Sequence, residues 1–443
     1  MTDLFAIGQG ALKAYSHSLT TISQNISNAE NPDYVRRSTR LSDATLTGLT
    51  NPLYLTSKEH SGVSIAGIAR SADQFLDASL RQSGAALVRT ETATMWLANI
   101  ESGLGNSGQD VGQKLTQMFS RGEQLAAAPF DSALRQSFLS DISETATAFQ
   151  RTAENLSQTS DFIYQSAEQS TTQLNGALSE LAQTNVELRK VKEGSASHAS
   201  LLDRRDTALT VISEQLDADI SFGEMGMADV SYAGQSLVNV NVAATTSVSR
   251  NTDGSFNFQI DGSTVAAPSD GNIAGLSSSS QTLVQRRQSV DTQAQQFVDD
   301  VNAWQAAGET DAGGAGGPIL SIGADATTIA TVTQDPADLA LAAPGGAANG
   351  NILALSAYRG PGQSEQNWDS LIATHANGLS AQRSEMDAAT AFHNNTSQAR
   401  DDVSRVDLDR EAADLIRYQQ AYAAAARVIQ VARETTQSIL SIF

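Results

Sequence analysis

Apolar positions recur at alternating steps of three and four residues at both ends of the chain. Near the start they are Phe5, Gly8, Leu12, Tyr15, Leu19, Ile22, Ile26 and Ala29. Near the end they are Leu408, Ala412, Leu415, Tyr418, Tyr422, Ala425, Ile429, Ala432, Ile439 and Ile442, with Thr436 as the one polar step. This is the period of helices that wind around a partner helix. Chain ends fray unless something holds them, so both seams predict burial, against each other or against other copies. The first helix is expected from Thr2 or Asp3 to Asn28–Asn31, because Pro32 disfavours helix in the residue before it.

Between the seams the pattern changes several times. Residues 33–63 read as polar and irregular. Helical spacing then covers about 70–103, closed by Gly105, and a shorter stretch from Val111 that stops at Pro129. Residues 132–193 contain no proline and one glycine, Gly176, and read as a long helix with a possible break at Ser157–Ser160. From about 216 the sequence alternates apolar with polar, as in Leu237–Val242 and Ser255–Ile260, which is the strand period. Asp253-Gly254 and Asp261-Gly262 are hairpin turn signals. Helix returns over about 277–306, Gly313–Pro318 reads as a joint, and Ile319–Ile322 and Ile329–Val332 read as strand or loop. From about 365 onward the pattern is helical, with an interruption near Asn394–Asp402.

These elements predict an α+β chain: an elongated long-helix bundle with paired N- and C-terminal coiled-coil helices and a smaller β-rich outer portion. The expected division is 1–40 with 400–443 as terminal helices; 41–215, 275–310 and 361–399 as a helical rod; and 216–274 with 311–360 as the β-rich part.

Composition removes most chemistry from consideration. Lys and Arg number 28 against 49 Asp and Glu, a net charge of −21. A basic footprint for nucleic acid or an anionic membrane is therefore missing. Aromatics are 5%, which suits helices packed through small side chains better than an aromatic-centred enzyme core. There is no cysteine, hence no disulfide, thiolate catalysis or Cys-based metal site. The start, MTDLFAIGQGALKAY, lacks the basic and continuous apolar regions of a cleavable secretory signal. The histidines His17, His60, His198, His375 and His393 form no metal-spaced pair. No phosphate loop, nucleophile elbow or dinucleotide turn occurs in its required context. No catalytic, cofactor or metal residues are expected.

Three segments carry a resemblance. Ser23 to Tyr34 (SQNISNAENPDY) resembles the signature at the end of the first helix in the axial proteins of the bacterial flagellum: rod, hook and hook-associated proteins. Val406 to Ile429 (VDLDREAADLIRYQQAYAAAARVI) is similar to the C-terminal motif of that group, and its RYQQAY form to the FlgK family of first hook–filament junction proteins. Leu201 to Asp206 (LLDRRD) is similar to a turn of the same family, and Gly62–Gly67, Asp73–Leu76 and Asp131–Gln136 fit it as well. The chain departs from the pattern with Asn31 for a usual threonine, Asp33 for glycine, Asp407 for asparagine and Arg410 for glutamate. It also looks shorter than many relatives, which implies a reduced outer β domain.

The resemblance implies a non-enzymatic structural adapter that joins hook to filament in the extracellular flagellum. It implies hook protein, the second junction protein and further copies of the chain in a ring as partners. It also implies export by the flagellar type III apparatus, with an export chaperone on the C-terminal helix at Leu415, Tyr422 and Ile429. The assembly surface would comprise Phe5, Leu12, Tyr15, Leu19, Ile22, Ile26, Asn28 and Tyr34. Its C-terminal half would be Leu408, Leu415, Tyr418, Gln419, Gln420, Tyr422, Ile429 and Ile439. The alternatives are another axial protein, either hook protein or the second junction protein, or a secreted enzyme or adhesin with flagellar-type ends. The RYQQAY form and the LLDRRD segment speak against hook protein.

Overall fold

The computed structural model describes residues 2–45, 60–105 and 110–441. In chain order the first elements are helix α1 (Thr2–Ser27), strands β1 (Arg37–Thr45) and β2 (His60–Arg70), and helices α2 (Gln74–Gly105), α3 (Val111–Ala127), α4 (Ser132–Leu188) and α5 (Ala196–Gln215). A run of strands follows: β3 (Asp219–Phe222), β4 (Ala228–Tyr232), β5 (Gln235–Asn239), β6 (Val242–Ala243), β7 (Thr246–Arg250), β8 (Phe256–Ile260) and β9 (Ser263–Thr264). Then come α6 (Asn272–Ala306), β10 (Leu320–Ser321), β11 (Ala330–Thr331), α7 (Gly350–Ala354), α8 (Ser364–Ser404) and α9 (Leu408–Leu440). The fold is α+β, and among the described residues every sheet is antiparallel.

Helix starts follow side-chain chemistry. Asp73, Asp110, Asp131 and Asp407 each turn a carboxylate oxygen onto free amides of α2, α3, α4 and α9, and Ser195 does the same for α5 with its hydroxyl. Such caps satisfy donors that a helix start leaves orphaned. One possible and one expected interruption are absent. Helix α4 runs through Ser157–Ser160, where Thr159 returns its hydroxyl to the Asn155 carbonyl at 2.9 Å. Helix α8 runs through Asn394–Asp402, and the chain breaks instead just after Ser404, ahead of the Asp407 cap.

The larger correction concerns residues 33–63. Strand β1 occupies part of that polar stretch and pairs with β2 from Arg37↔Arg70 onward, with a bulge opposite Arg40/Leu41. Its sequence, RSTRLSDAT, has a single large apolar residue, so alternation cannot announce it. The partner β2 and the underlying α1 supply the apolar surface. Where Leu237–Val242 reads as one strand, the chain instead turns at Val240 (φ 52°) between β5 and β6. Asp261-Gly262 makes the β8–β9 turn with both residues at positive φ, as the dipeptide predicts.

By contact the chain forms two units. The first comprises residues 1–85, 173–245 and 391–443, and the second 86–172 and 246–390. These contact units and the three-part division by sequence texture are different partitions of the chain. In the second unit Phe138 meets Trp304 edge-on at 5.6 Å, and Phe149 lies 5.6 Å from both Phe297 and Trp368. An aromatic core thus forms here despite the low overall aromatic content. In the first unit the end of α4, α5 and strands β3–β6 bury Leu178, Leu181, Leu209, Ile212, Val230 and Leu237. Asn185, fully buried, pins the sheet to α4 through the Ala228 amide and carbonyl and the Val240 carbonyl.

Candidate assembly interface at the paired chain ends

Helices α1 and α9 lie side by side in the first unit. They run antiparallel: Gly8 meets Ile429, Tyr15 meets Tyr418 and Asn25 meets Glu411. Gly8 acts as a notch, because a Cβ there would lie 2.6 Å from Ile429 Cγ1. The Tyr15 and Tyr418 rings sit 6.1 Å apart, tilted at 51°. The opposite flank of α1 packs on β1 and β2, with Gly62 (φ 87°) close enough that a Cβ would lie 3.1 Å from Ile7 Cα.

The expected interface residues divide by position. Ile22 and Tyr34 are buried, and Leu12, Tyr15, Leu19, Asn28, Leu415, Tyr418 and Ile429 are half-buried. Phe5, Ile26, Leu408, Gln419, Gln420 and Tyr422 are exposed, Leu408 by 53% and Tyr422 by 40%. The side chain of Ile439 and all of Ile442 lie outside the described residues. On α9 the stripe facing α1 runs through Glu411, Leu415, Tyr418, Ala421, Ala425, Ile429 and Ala432. It is shifted from the heptad reading, which placed Leu408, Ala412 and Tyr422 in the seam. The opposite face of α9 keeps Ile416 and Val431 exposed at 57% and 60%.

Polar residues hold the base of the pair. Asn25 has no exposure, and its amide is fully used. Its Oδ1 accepts from Tyr34 Oη at 2.8 Å and from the Arg37 amide at 3.1 Å. Its Nδ2 donates to the Arg37 carbonyl at 2.8 Å and to Glu411 Oε2 at 3.0 Å. The equally buried Glu411 takes Arg36 Nε on its other oxygen at 2.7 Å. Charged hydrogen bonds of this kind are short and directional. Burial pushes the Tyr34 phenol up, with Asp203 and Glu411 adding to the shift against the pull of Arg37 stacked 4.7 Å from its ring.

The turn leading out of α1 needs no left-handed residue. Asn31 Oδ1 accepts the Asp33 amide at 3.1 Å, and Asp33 is not among the positive-φ residues. An Asx-turn thus accommodates aspartate where the family pattern has glycine.

The LLDRRD segment lies inside α5 rather than in a turn, because Ser195 starts the helix upstream. Asp203 and Asp206, three apart, share a helix face. Arg37 reaches Asp203 at 2.5 Å, and Arg70 reaches Asp203 and Asp206 at 2.7 Å each. Arg205 holds Asp206 at 2.5 Å and the Gly226 carbonyl at 2.6 Å. Burial raises Asp203 while the two arginines pull it down, and burial together with the Asp206 charge raises Asp77, which Arg400 faces at 3.6 Å. The polar partners Arg36, Arg37, Arg70, Asp203 and Asp206 were not expected as site residues. The available signals were a tyrosine followed by paired arginines and two aspartates one helical turn apart. Among the described residues there is no group of three or more His, Asp and Glu placed to hold a metal ion, and no helix long and apolar enough to cross a membrane.

A family model for the flagellar hook-associated protein FlgK helical domain matches residues 97–320, half of the chain. The chain belongs to the FlgK family. A second model, for the C-terminal region of the flagellar basal body rod FlgEFG proteins, matches residues 398–442, which includes α9. Flagellar hook-associated protein 1 of Escherichia coli K12 is 25% identical over 77% of this chain and 64% of its own length. The Salmonella typhimurium LT2 protein of the same name is 24% identical over 73% of this chain and 60% of its own. The chain thus spans somewhat less than two thirds of these FlgK relatives. The solved structure of the flagellar hook junction protein FlgK from Burkholderia pseudomallei superimposes with a TM-score of 0.65 at 14% identity. That match covers 73% of this chain and 100% of that one, and it speaks for the fold.

Proposed function

We propose that this chain is a structural adapter in the axis of the bacterial flagellum, joining hook to filament, with no catalytic step. The observation that carries the reading is the antiparallel α1–α9 pair, whose outward α9 face leaves Ile416 and Val431 exposed beside Gln420, with Tyr422 part-exposed on the flank of the pair. An apolar face of this kind on a helix already partnered on its other side fits contact with a further subunit. On this reading the pair lines the inner tube and meets copies of the chain in a ring, hook protein on one side and the second junction protein on the other. The chain would leave the cell through the flagellar type III apparatus. Leu415 and Ile429 face α1 in the folded chain, so a chaperone gripping Leu415, Tyr422 and Ile429 would hold α9 before pairing. Deleting the gene should leave hooks without filaments and filament subunits in the medium; normal filaments on the mutant would refute the proposal.

A further inference from the structure

Packing alone specifies the register of the α1–α9 pair weakly. Ala14, Ser18, Ala425 and Ala432 are among its buried residues, and such small side chains provide few knobs that a slip would dislodge. Yet register matters, because moving one residue along a helix rotates its faces by about 100°. Beside the Tyr15–Tyr418 ring contact, two features resist such a slip. One is the Gly8 notch around Ile429. The other is the base, where Asn25 spends both donors and both acceptor positions and binds one oxygen of Glu411 while Arg36 binds the other. A slip of four residues would put Leu415 or the shorter Asp407 opposite Asn25. Asn25 and Arg36 would then lose the buried carboxylate that they share. Buried polar groups are best attested in this registry role.

We propose that Asn25 and Glu411 are the positioning residues that set the register of the terminal helices, and that Arg37 ties this register to α5 through Asp203. The backbone reinforces the tie: the Arg36 amide donates to the Ser404 carbonyl at 2.9 Å, at the end of α8 just ahead of α9. Register in turn decides which residues of α9 remain outward. The inference rests on contacts within one chain and not on the assembly reading, so its test and the gene deletion fail separately.

The chain has no cysteine, so engineered thiols report register without background. In the full chain Gly8→Cys is combined in turn with Ile429→Cys, or with Ala425→Cys or Ala432→Cys in an Ile429→Ala background, which removes the notch without a clash and leaves the base as the determinant. With Asn25 and Glu411 intact, the disulfide to position 429 should form about tenfold faster than the other two, since disulfides tolerate little Cα displacement. In the Asn25→Leu, Glu411→Leu background the three rates should converge to within about threefold, as expected of a seam of small residues. Helix content and amide-exchange protection of α5 and strands β3–β5, in the same unit, establish folding. Retention of the tenfold preference in the folded double variant overturns the proposal. If that variant does not fold, Glu411→Gln carries the test: a preference reduced by half or more supports the role, and an unchanged one overturns it.

Discussion

Phe138 against Trp304, and Phe149 among Phe297 and Trp368, fill the middle of the second unit. In the first unit the junction of β1, β2, α5 and the terminal pair is made by Arg36, Arg37, Arg70, Asp203, Asp206, Asn25 and Glu411. Apolar burial is non-directional and proportional to area, so it stabilises without dictating a fine geometry. Buried ions recover their desolvation cost only when partners meet at the right distance and angle. The second unit therefore gains stability from its core, and the first gains definition of where its terminal helices lie.

The largest test of this contrast is Phe149→Ala. Removing a fully buried ring should cost about 3–5 kcal/mol and lower the midpoint read by tryptophan fluorescence; a loss near zero would mean that the aromatic cluster is not the core of that unit. Next is Asp203→Ala, which leaves Arg37 and Arg70 without their shared carboxylate. It should cost about 3 kcal/mol, seen as faster amide exchange across β1, β2 and α5 with tryptophan fluorescence unchanged. Uniform exchange in wild type and variant would show that the ion network defines nothing.

One carboxylate from each unit gives pH responses of opposite sign. Burial raises Glu214 on α5, in the first unit, above its ordinary value. Its contribution to stability is therefore complete below the unfolded value and is lost as pH rises through the folded one. Glu214→Gln should then raise the thermal midpoint at pH 7, with the gain shrinking as pH falls toward 4 (a constant offset would contradict it). In the second unit Arg135 lowers Asp311 by hydrogen bonding, so that contribution is present above the unfolded value and lost as pH falls through the folded one. Asp311 is 58% exposed, which keeps the effect small. Asp311→Asn should lower the midpoint slightly at pH 7, with the deficit fading at low pH. Smallest in folding terms is Ile416→Ala on the outward face of α9, expected to change stability by less than about 0.5 kcal/mol while impairing the incorporation proposed above. If incorporation is unaffected, the outward face is not the contact.

Most long helices were legible in the sequence because their caps and stops are local chemistry: Asp73, Asp110, Asp131, Asp407, Pro129. The existence of paired ends was legible from periodicity, but the face was not. Leu408 and Tyr422 fit the heptad and yet remain exposed, while Glu411, a charged residue no apolar count would choose, occupies the buried stripe. Strand β1 was hidden for a related reason, as its stabilisation comes from β2 and α1 rather than from its own alternation. The ion network joins segments whose separation along the chain makes each residue look like ordinary surface. Only the motifs Ser23–Tyr34 and Leu201–Asp206 hinted that those charges matter.

Asn25 and Glu411 stand 386 positions apart. In synthesis the amide is made 386 residues before the carboxylate. Contacts of such separation form late, so the bond between them can close only once α9 is present. A subunit cut short anywhere before α9 would leave Asn25 and Arg36 without that carboxylate and its α1 seam without a partner. The base of the pair thus depends on α9 for the charge that settles the buried polar groups at the end of α1.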